Sequence, residues 1–204
     1  MKLVLATHNL HKVREMREML KIVSHLDVLS LLSFPDYRLP NETEKTFLAN
    51  ALLKAEHAAK HLNLWVLADD SGLCVPALGG KPGIHSKRYA GEEATDSENR
   101  KKLLQDMKDL TGLERSAYFE CCLALADPGG VRKTVAAICE GTVTEKERGR
   151  NGFGYDFIFH KHGYEKTFAE IDESTKNRIS HRRKAFDKLI TSLDALLSSH
   201  ALPD

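Results

Sequence analysis

The sequence predicts an α/β protein built on a mixed parallel/antiparallel sheet. Three observations predict it. An apolar run at the N-terminus passes through a tight turn into a helical pattern, the start of a strand–helix unit. A second apolar run, residues 64–68, again follows a helical stripe. Two long strand-like runs then flank Asp127-Pro128-Gly129-Gly130, whose turn chemistry makes them a hairpin and part of the sheet antiparallel.

The elements follow in order. Lys2-Leu3-Val4-Leu5-Ala6-Thr7 reads as a buried strand. Asn9 stands where a helix cap belongs, and Val13, Met16, Leu20 and Val23 follow at helical spacing. Val28 to Leu32 reads as a second strand. Thr46 caps a helix whose apolar stripe is Phe47, Ala51, Ala55, Ala58 and Leu62, with Asn50, Lys54, His57 and His61 on another face. Leu64 to Ala68 is a strand that ends at two aspartates. Residues from about Thr95 to Leu110 form a helix with Leu103, Leu104 and Met107 apolar. Ala117–Ala126 and Val131–Val143 are the hairpin strands, and Phe157–Phe159 is a short further strand. The last helix carries Phe186, Leu189, Ile190, Leu193 and Leu197 on one side, with Ser180 as a candidate cap.

The chain of 204 residues suits a single domain, residues 1–204, and its 42% hydrophobic content supports a core. Thirty Lys+Arg balance 29 Asp+Glu, for a net charge of +1. A binder of nucleic-acid polymers usually carries a basic excess, so none is expected as partner. No apolar run reaches the length of about 18 residues that a membrane span needs, and no signal peptide is recognisable. Cys74, Cys121, Cys122 and Cys139 form no C-x-x-C pair. They read as buried free thiols, which points to a reduced, cytoplasmic setting.

Five segments carry chemistry. Thr7-His8-Asn9-Leu10-His11-Lys12 joins a strand to a helix start, where backbone N–H groups attract anions and Lys12 adds positive charge. It lacks the glycines of a Walker A loop, and by itself it is equally an ordinary capped helix. Asp69-Asp70-Ser71-Gly72 places adjacent carboxylates at the ligand edge of a sheet. Adjacent acids repel, and Mg²⁺ compensates such a pair well, whereas in isolation the segment also reads as a turn. Either Glu42 or Glu44 could complete a metal site, and each also reads as a solvated loop acid. Asn151-Gly152-Phe153-Gly154-Tyr155-Asp156 offers close backbone approach, a flat ring and an acceptor for a base edge. Lys176-Asn177-Arg178-Ile179-Ser180-His181-Arg182-Arg183-Lys184 is a basic run, either a solvated face or an anion site.

The order of these motifs is more specific than any one of them. Ala6-Thr7-x-Asn9-x-x-Lys12, Thr46-Phe47-x-x-Asn50-Ala51-x-x-Lys54-Ala55, Ala68-Asp69-Asp70-Ser71-Gly72-Leu73, Leu78-Gly79-Gly80-Lys81-Pro82-Gly83-Ile84-x-Ser86-x-Arg88-Tyr89-Ala90-Gly91, Gly152 to Asp156 and Ser180-His181-Arg182 together resemble the inosine triphosphate pyrophosphatase (dITP/XTP pyrophosphatase) family, in its bacterial form. The resemblance covers nearly the whole chain. It implies an α/β fold in two lobes flanking a central substrate cleft, a homodimer, and Mg²⁺-dependent hydrolysis of ITP, dITP and XTP to monophosphate and pyrophosphate. A catalytically silent nucleotide sensor, or a pyrophosphatase for another modified nucleotide, is the alternative.

The resemblance also distributes roles. Thr7, His8, Asn9, Leu10, His11 and Lys12 would hold the triphosphate, Asp70 would be the general base, and Glu42 and Asp70 the metal ligands. Lys54 and Ser71 would contact substrate. Phe153, Gly154, Tyr155 and Asp156 would receive the base, with Phe153 stacking on it. Lys176, His181 and Arg182 would bind substrate, the last two near the purine 6-position. His8 and His11 stand where the family often has glycine, Ala49 where it often has an acid, and Phe157 where proline is frequent. The common glycine after Thr43 is missing too.

Overall fold

The computed structural model describes residues 1–24 and 26–198, without the side chains of 192 and 194–198. Six strands form one sheet in the order β2-β1-β3-β4-β5-β6. Strand β1 (Lys2–Leu5) pairs in parallel with β2 (Asp27–Ser30) and with β3 (Trp65–Cys74). Leu3, Val4 and Leu5 are all buried, and Val66, Leu67 and Ala68 beside them likewise. Both faces of these strands are therefore covered, which is why they read as continuous apolar runs rather than alternating ones. Strands β4 (Ser116–Asp127) and β5 (Gly130–Val143) are neighbours joined only by Pro128-Gly129. Asp127 builds that turn by accepting from the Gly129 N–H at 2.8 Å and from Arg132 at 2.7 Å. Strand β6 (Phe159–Lys161) pairs antiparallel with β5, so the sheet is mixed as expected.

Helix α1 (Leu10–Leu20) starts on Asn9, whose side chain accepts from the His11 and Lys12 N–H groups. Helix α2 (Phe47–Leu62) starts on Thr46, which accepts from Ala49 N–H. Helix α3 (Asp96–Asp106) begins with a reciprocal capping box between Thr95 and Glu98. A short helix, α4 (Glu173–Ile179), is capped by Asp172 and leads through Ser180 into α5 (His181–Ser198). Helix α4 was not foreseen. Leu197, expected on the apolar side of α5, lies outside the described side chains.

Besides β1, which ends at Leu5, and β3, which runs from Trp65 to Cys74, two further strand assignments shift. The second strand stops at Ser30 instead of Leu32, because β1 offers only four residues for pairing. Leu31–Ser33 turns into a 3-10 helix, burying Leu31 and leaving Leu32 71% exposed. The strand expected at Phe157–Phe159 starts at Phe159. The preceding residues curl into a 3-10 turn, with Ile158 N–H donating to the Tyr155 carbonyl at 3.0 Å.

The chain groups into two compact units. The first comprises Met1–Asp70, Cys121–Ala137 and the chain from Arg182 onward, and the second Ser71–Glu120 and Ile138–His181. Leu3, Leu5 and Leu67 of the sheet pack with Val13, Met16, Phe186, Leu189 and Leu193 of α1 and α5 to form the first unit's core. The second unit's core centres on Phe119, Phe159 and Phe168. Phe159 meets Phe119 edge-on at 4.8 Å and Phe168 at 5.2 Å, the arrangement that ring quadrupoles favour. All four cysteines are buried thiols outside any disulfide. Leu67 is fully buried in the first core, so Leu67→Ala is expected to cost about 2–5 kcal/mol, read as a lower urea midpoint at unchanged slope.

Candidate active site

In the first unit, Asp69 and Asp70 lie inside β3, not in a loop at its end. The strand runs four residues past them, to Cys74. Adjacent residues of a strand point to opposite faces, so the two carboxylates are separated rather than crowded. Each then finds its own cations. Asp69, 1% exposed, pairs with Lys12 of α1 and with Arg182 of α5, whose Nε lies 2.9 Å from Oδ2. Cys121 donates its thiol to the same oxygen at 3.2 Å. Arg182 also pairs with Glu15 of α1, a buried acid. Burial alone would raise the Asp69 pKa, but Arg182 and Lys12 outweigh it and hold this carboxyl well below its usual range.

Asp70 faces the other way. Lys54 Nζ donates to Asp70 Oδ1 at 2.9 Å, to Glu42 Oε1 at 2.9 Å and to the Asp69 carbonyl at 2.8 Å. Lys54 is buried, with 4% exposure. Burial and the nearby Glu42 raise the Asp70 pKa, and Lys54 and Lys12 only partly oppose them. Asn50, one turn before Lys54, holds the Glu42–Glu44 segment by accepting from Glu44 N–H at 3.1 Å. The backbone of Glu44 is thereby tied down, and it is the carboxylate of Glu42 that reaches Lys54.

Around this centre four carboxylates (Glu15, Glu42, Asp69, Asp70) meet three cations (Lys12, Lys54, Arg182). The excess negative charge lies on the side where Glu42 and Asp70 converge on one nitrogen. Those two residues could hold a hard divalent cation. Among the described residues no group of three or more His, Cys, Asp or Glu is gathered for a metal. Two carboxylates and no nitrogen or sulfur donor are the kind of set Mg²⁺ takes, with its other positions left to water and substrate oxygens.

At the start of α1, Thr7 Oγ1 accepts from Asn9 N–H at 3.2 Å, and Asn9 Oδ1 accepts from His11 and Lys12 N–H at 2.9 and 3.2 Å. His8, Leu10 and His11 are exposed. Of this segment the structure brings Lys12 to the carboxylates.

The second unit holds the other candidate residues. Asp156 is buried and accepts from the Phe153 N–H at 2.9 Å and from Lys176 Nζ at 2.6 Å. The Lys176 ammonium lies 4.5 Å over the Phe153 ring. Gly152, with φ 81°, makes this turn possible: a Cβ there would stand 2.2 Å from Asp156 Oδ2. Gly154 donates to Asp96 at 2.8 Å and accepts from Arg100 at 2.8 Å, while Arg100 is held by Glu147. Tyr155 donates to the Ser86 carbonyl at 2.8 Å and is buried, which raises its pKa. His181 stacks on Phe119 at 4.6 Å, with the rings within 10° of parallel. Ser71 is half-buried on β3.

Phe153, Asp156 and Lys176 are thus one cluster. The Arg182 guanidinium is engaged with Asp69 and Glu15. The sequence reading missed Glu15, Cys121, Asp96 and Arg100. Glu15 left a signal: it falls among Val13, Met16 and Met19, on the buried side of α1.

Residues 3–192 match the sequence profile of the Ham1 family. The chain belongs to the Ham1 family. It is 62% identical over 197 residues to a dITP/XTP pyrophosphatase of Protochlamydia amoebophila (strain UWE25), covering 96% of this chain and 99% of that relative. A dITP/XTP pyrophosphatase of Chlamydia pneumoniae is 49% identical over 203 residues, covering 99% and 98%. Among solved structures, a HAM1 protein from Coxiella burnetii superposes with a TM-score of 0.85 at 38% identity, covering 98% of this chain and 99% of that one. The Staphylococcus aureus Ham1 protein gives 0.82 at 38%, with the same coverage. Among the described residues no helix is long and apolar enough to cross a membrane.

Arg182 neutralises two buried acids, and removing it strands both. Arg182→Met is expected to destabilise the protein by about 3–5 kcal/mol, measured by urea denaturation. Adding Glu15→Gln should recover part of that loss, since one stranded charge is then gone.

Proposed function

We propose that this chain hydrolyses deaminated purine nucleoside triphosphates, dITP, ITP and XTP, to the monophosphate and pyrophosphate. The observation that carries the proposal is the convergence of Glu42 and Asp70 on Lys54 Nζ at 2.9 Å each. The high identity to proteins named dITP/XTP pyrophosphatases supports the choice of substrate.

The residues divide the work. Lys12, Thr7 and the start of α1 bind the anionic triphosphate, with His8, Asn9, Leu10 and His11 shaping that turn. Glu42 and Asp70 would hold Mg²⁺, which when bound supplies positive charge against the phosphate oxygens. Asp70 accepts a proton from the attacking water. The water oxygen bonds to the α-phosphorus, the bond from that phosphorus to the bridging oxygen breaks, and pyrophosphate leaves. Lys54 orients Asp70 and Glu42 and limits their repulsion. Asp69, held ionised by Lys12 and Arg182, fixes Lys12 next to this centre.

In the second unit, Phe153 offers a ring to the purine, and Gly154, Tyr155 and Asp156 frame it. His181 and Lys176 are donors suited to the 6-keto oxygen of hypoxanthine and xanthine. Adenine presents an amino group there and would leave a donor unpaired, at a cost of about 1–3 kcal/mol. Arg182 contributes by holding Asp69 and Glu15. Ser71, next to Asp70, contacts substrate. The enzyme is taken to be a homodimer, as the family resemblance implies, and cytoplasmic, with which its buried thiols accord.

Pyrophosphate release with Mg²⁺ is expected to be fast from dITP and XTP and slow from dATP, and equal turnover of all three would refute the specificity. Asp70→Asn should lower kcat by about 10²–10⁴-fold while circular dichroism stays that of the wild type. Full activity in that variant would refute its role.

A further inference from the structure

A second group of polar side chains lies on the outer part of α2 and takes no part in the chemistry above. His57-Ala58-Ala59-Lys60-His61 places two histidines at i and i+4, on one face of the last two turns. Both are exposed. Their rings are within 8° of parallel, with centroids 6.3 Å apart. Tyr37 lies against both, 5.7 Å from His57 and 5.0 Å from His61 by ring centroids. We propose that His57 and His61 form a chelating site for a late divalent transition metal, Zn²⁺ or Ni²⁺, separate from the carboxylate centre.

Three features carry this. First, two imidazoles one helical turn apart are a bidentate nitrogen donor set, which borderline-soft cations prefer and Mg²⁺ does not. With metal–nitrogen bonds of about 2 Å, the ring centres need to approach to about 5 Å, a small rotation for two exposed side chains. Second, Tyr37 supplies the outer hydrogen bond that a ligating histidine needs. Its hydroxyl lies 2.8 Å from His57 Nδ1. A Tyr37 oxygen accepting from Nδ1–H leaves the Nε2 lone pair free for a metal. Tyr37 is 3% exposed, and burial pushes its pKa up to about 12, so the phenol stays neutral and fixed. Third, the site lies at the C-terminal end of α2, where unpaired carbonyls favour positive charge. Tyr37 also lies in the segment that leads to Glu42, and Lys54 is one turn before His57. A metal here would stiffen both the helix and the strap that present the carboxylate centre.

The test is calorimetric titration of Zn²⁺ into the full-length chain near neutral pH, with excess Mg²⁺ present to occupy the carboxylates. One saturable Zn²⁺ per chain is expected. His57→Ala or His61→Ala should each weaken it about tenfold or more, whereas His85→Ala should leave it unchanged. Zn²⁺ should raise the Tm of the wild type and not that of the double variant His57→Ala/His61→Ala. Equal Zn²⁺ affinity in the double variant and the wild type, or no saturable binding at all, overturns the proposal. None of these readouts depends on catalytic activity, so the outcome is independent of the proposed hydrolysis.

Discussion

The structure depends on a carboxylate that cannot be left alone. Asp69 is fully enclosed in the first unit, and an unpaired charge there would cost several kcal/mol. Lys12 and Arg182 neutralise it from two helices, one near each end of the chain, and Cys121 adds a donor from the adjacent strand. Glu15 takes up the remaining positive charge of Arg182. The strand can then carry a second acid at the next position. Asp70 emerges on the other face with a different cation, a different acid neighbour and a pKa moved in the opposite direction. One strand thus presents two chemically identical groups in two settings, one enclosed between Lys12 and Arg182 and one sharing Lys54 with Glu42.

The same logic explains why α2 is built as it is. Its apolar stripe of Phe47, Ala51, Ala55 and Ala58 sets the helix close to its neighbours, since alanine takes little space. That close approach delivers Lys54 into a buried position among three oxygen acceptors. In the second unit, the Gly152 turn works similarly. The absent side chain lets Asp156 fold back under Phe153, and Lys176 closes the arrangement from α4.

Much of this was legible in the sequence wherever a local pattern decides the outcome. Asn9 and Thr46 cap their helices through hydrogen bonds within three residues. The Thr95–Glu98 box and the Asp127 turn are equally local. The motif order carried the family. What stayed hidden depends on partners distant in the chain. Nothing near Asp69 announces that β3 continues past it, because the cations that allow this come from residues 12, 54 and 182. Lys54 reads as a surface lysine until its acceptors are known. Arg182 reads as part of a basic run, yet it is buried, with 1% exposure. The strand ends at Ser30 and Phe159 followed from pairing length and from a turn, neither of which hydrophobic periodicity registers.

The burial of the cysteines has a practical consequence. Burial pushes the Cys74 thiol up to about 11, and burial together with the neighbouring Asp69 raises that of Cys121 well above its ordinary value. Thiolate, the reactive form, is therefore scarce at both positions. Oxidants and alkylating reagents would reach Cys121 only when the region around Asp69 opens. The rate of its modification is thus a clock for local unfolding around Asp69, built into the chain without any added label.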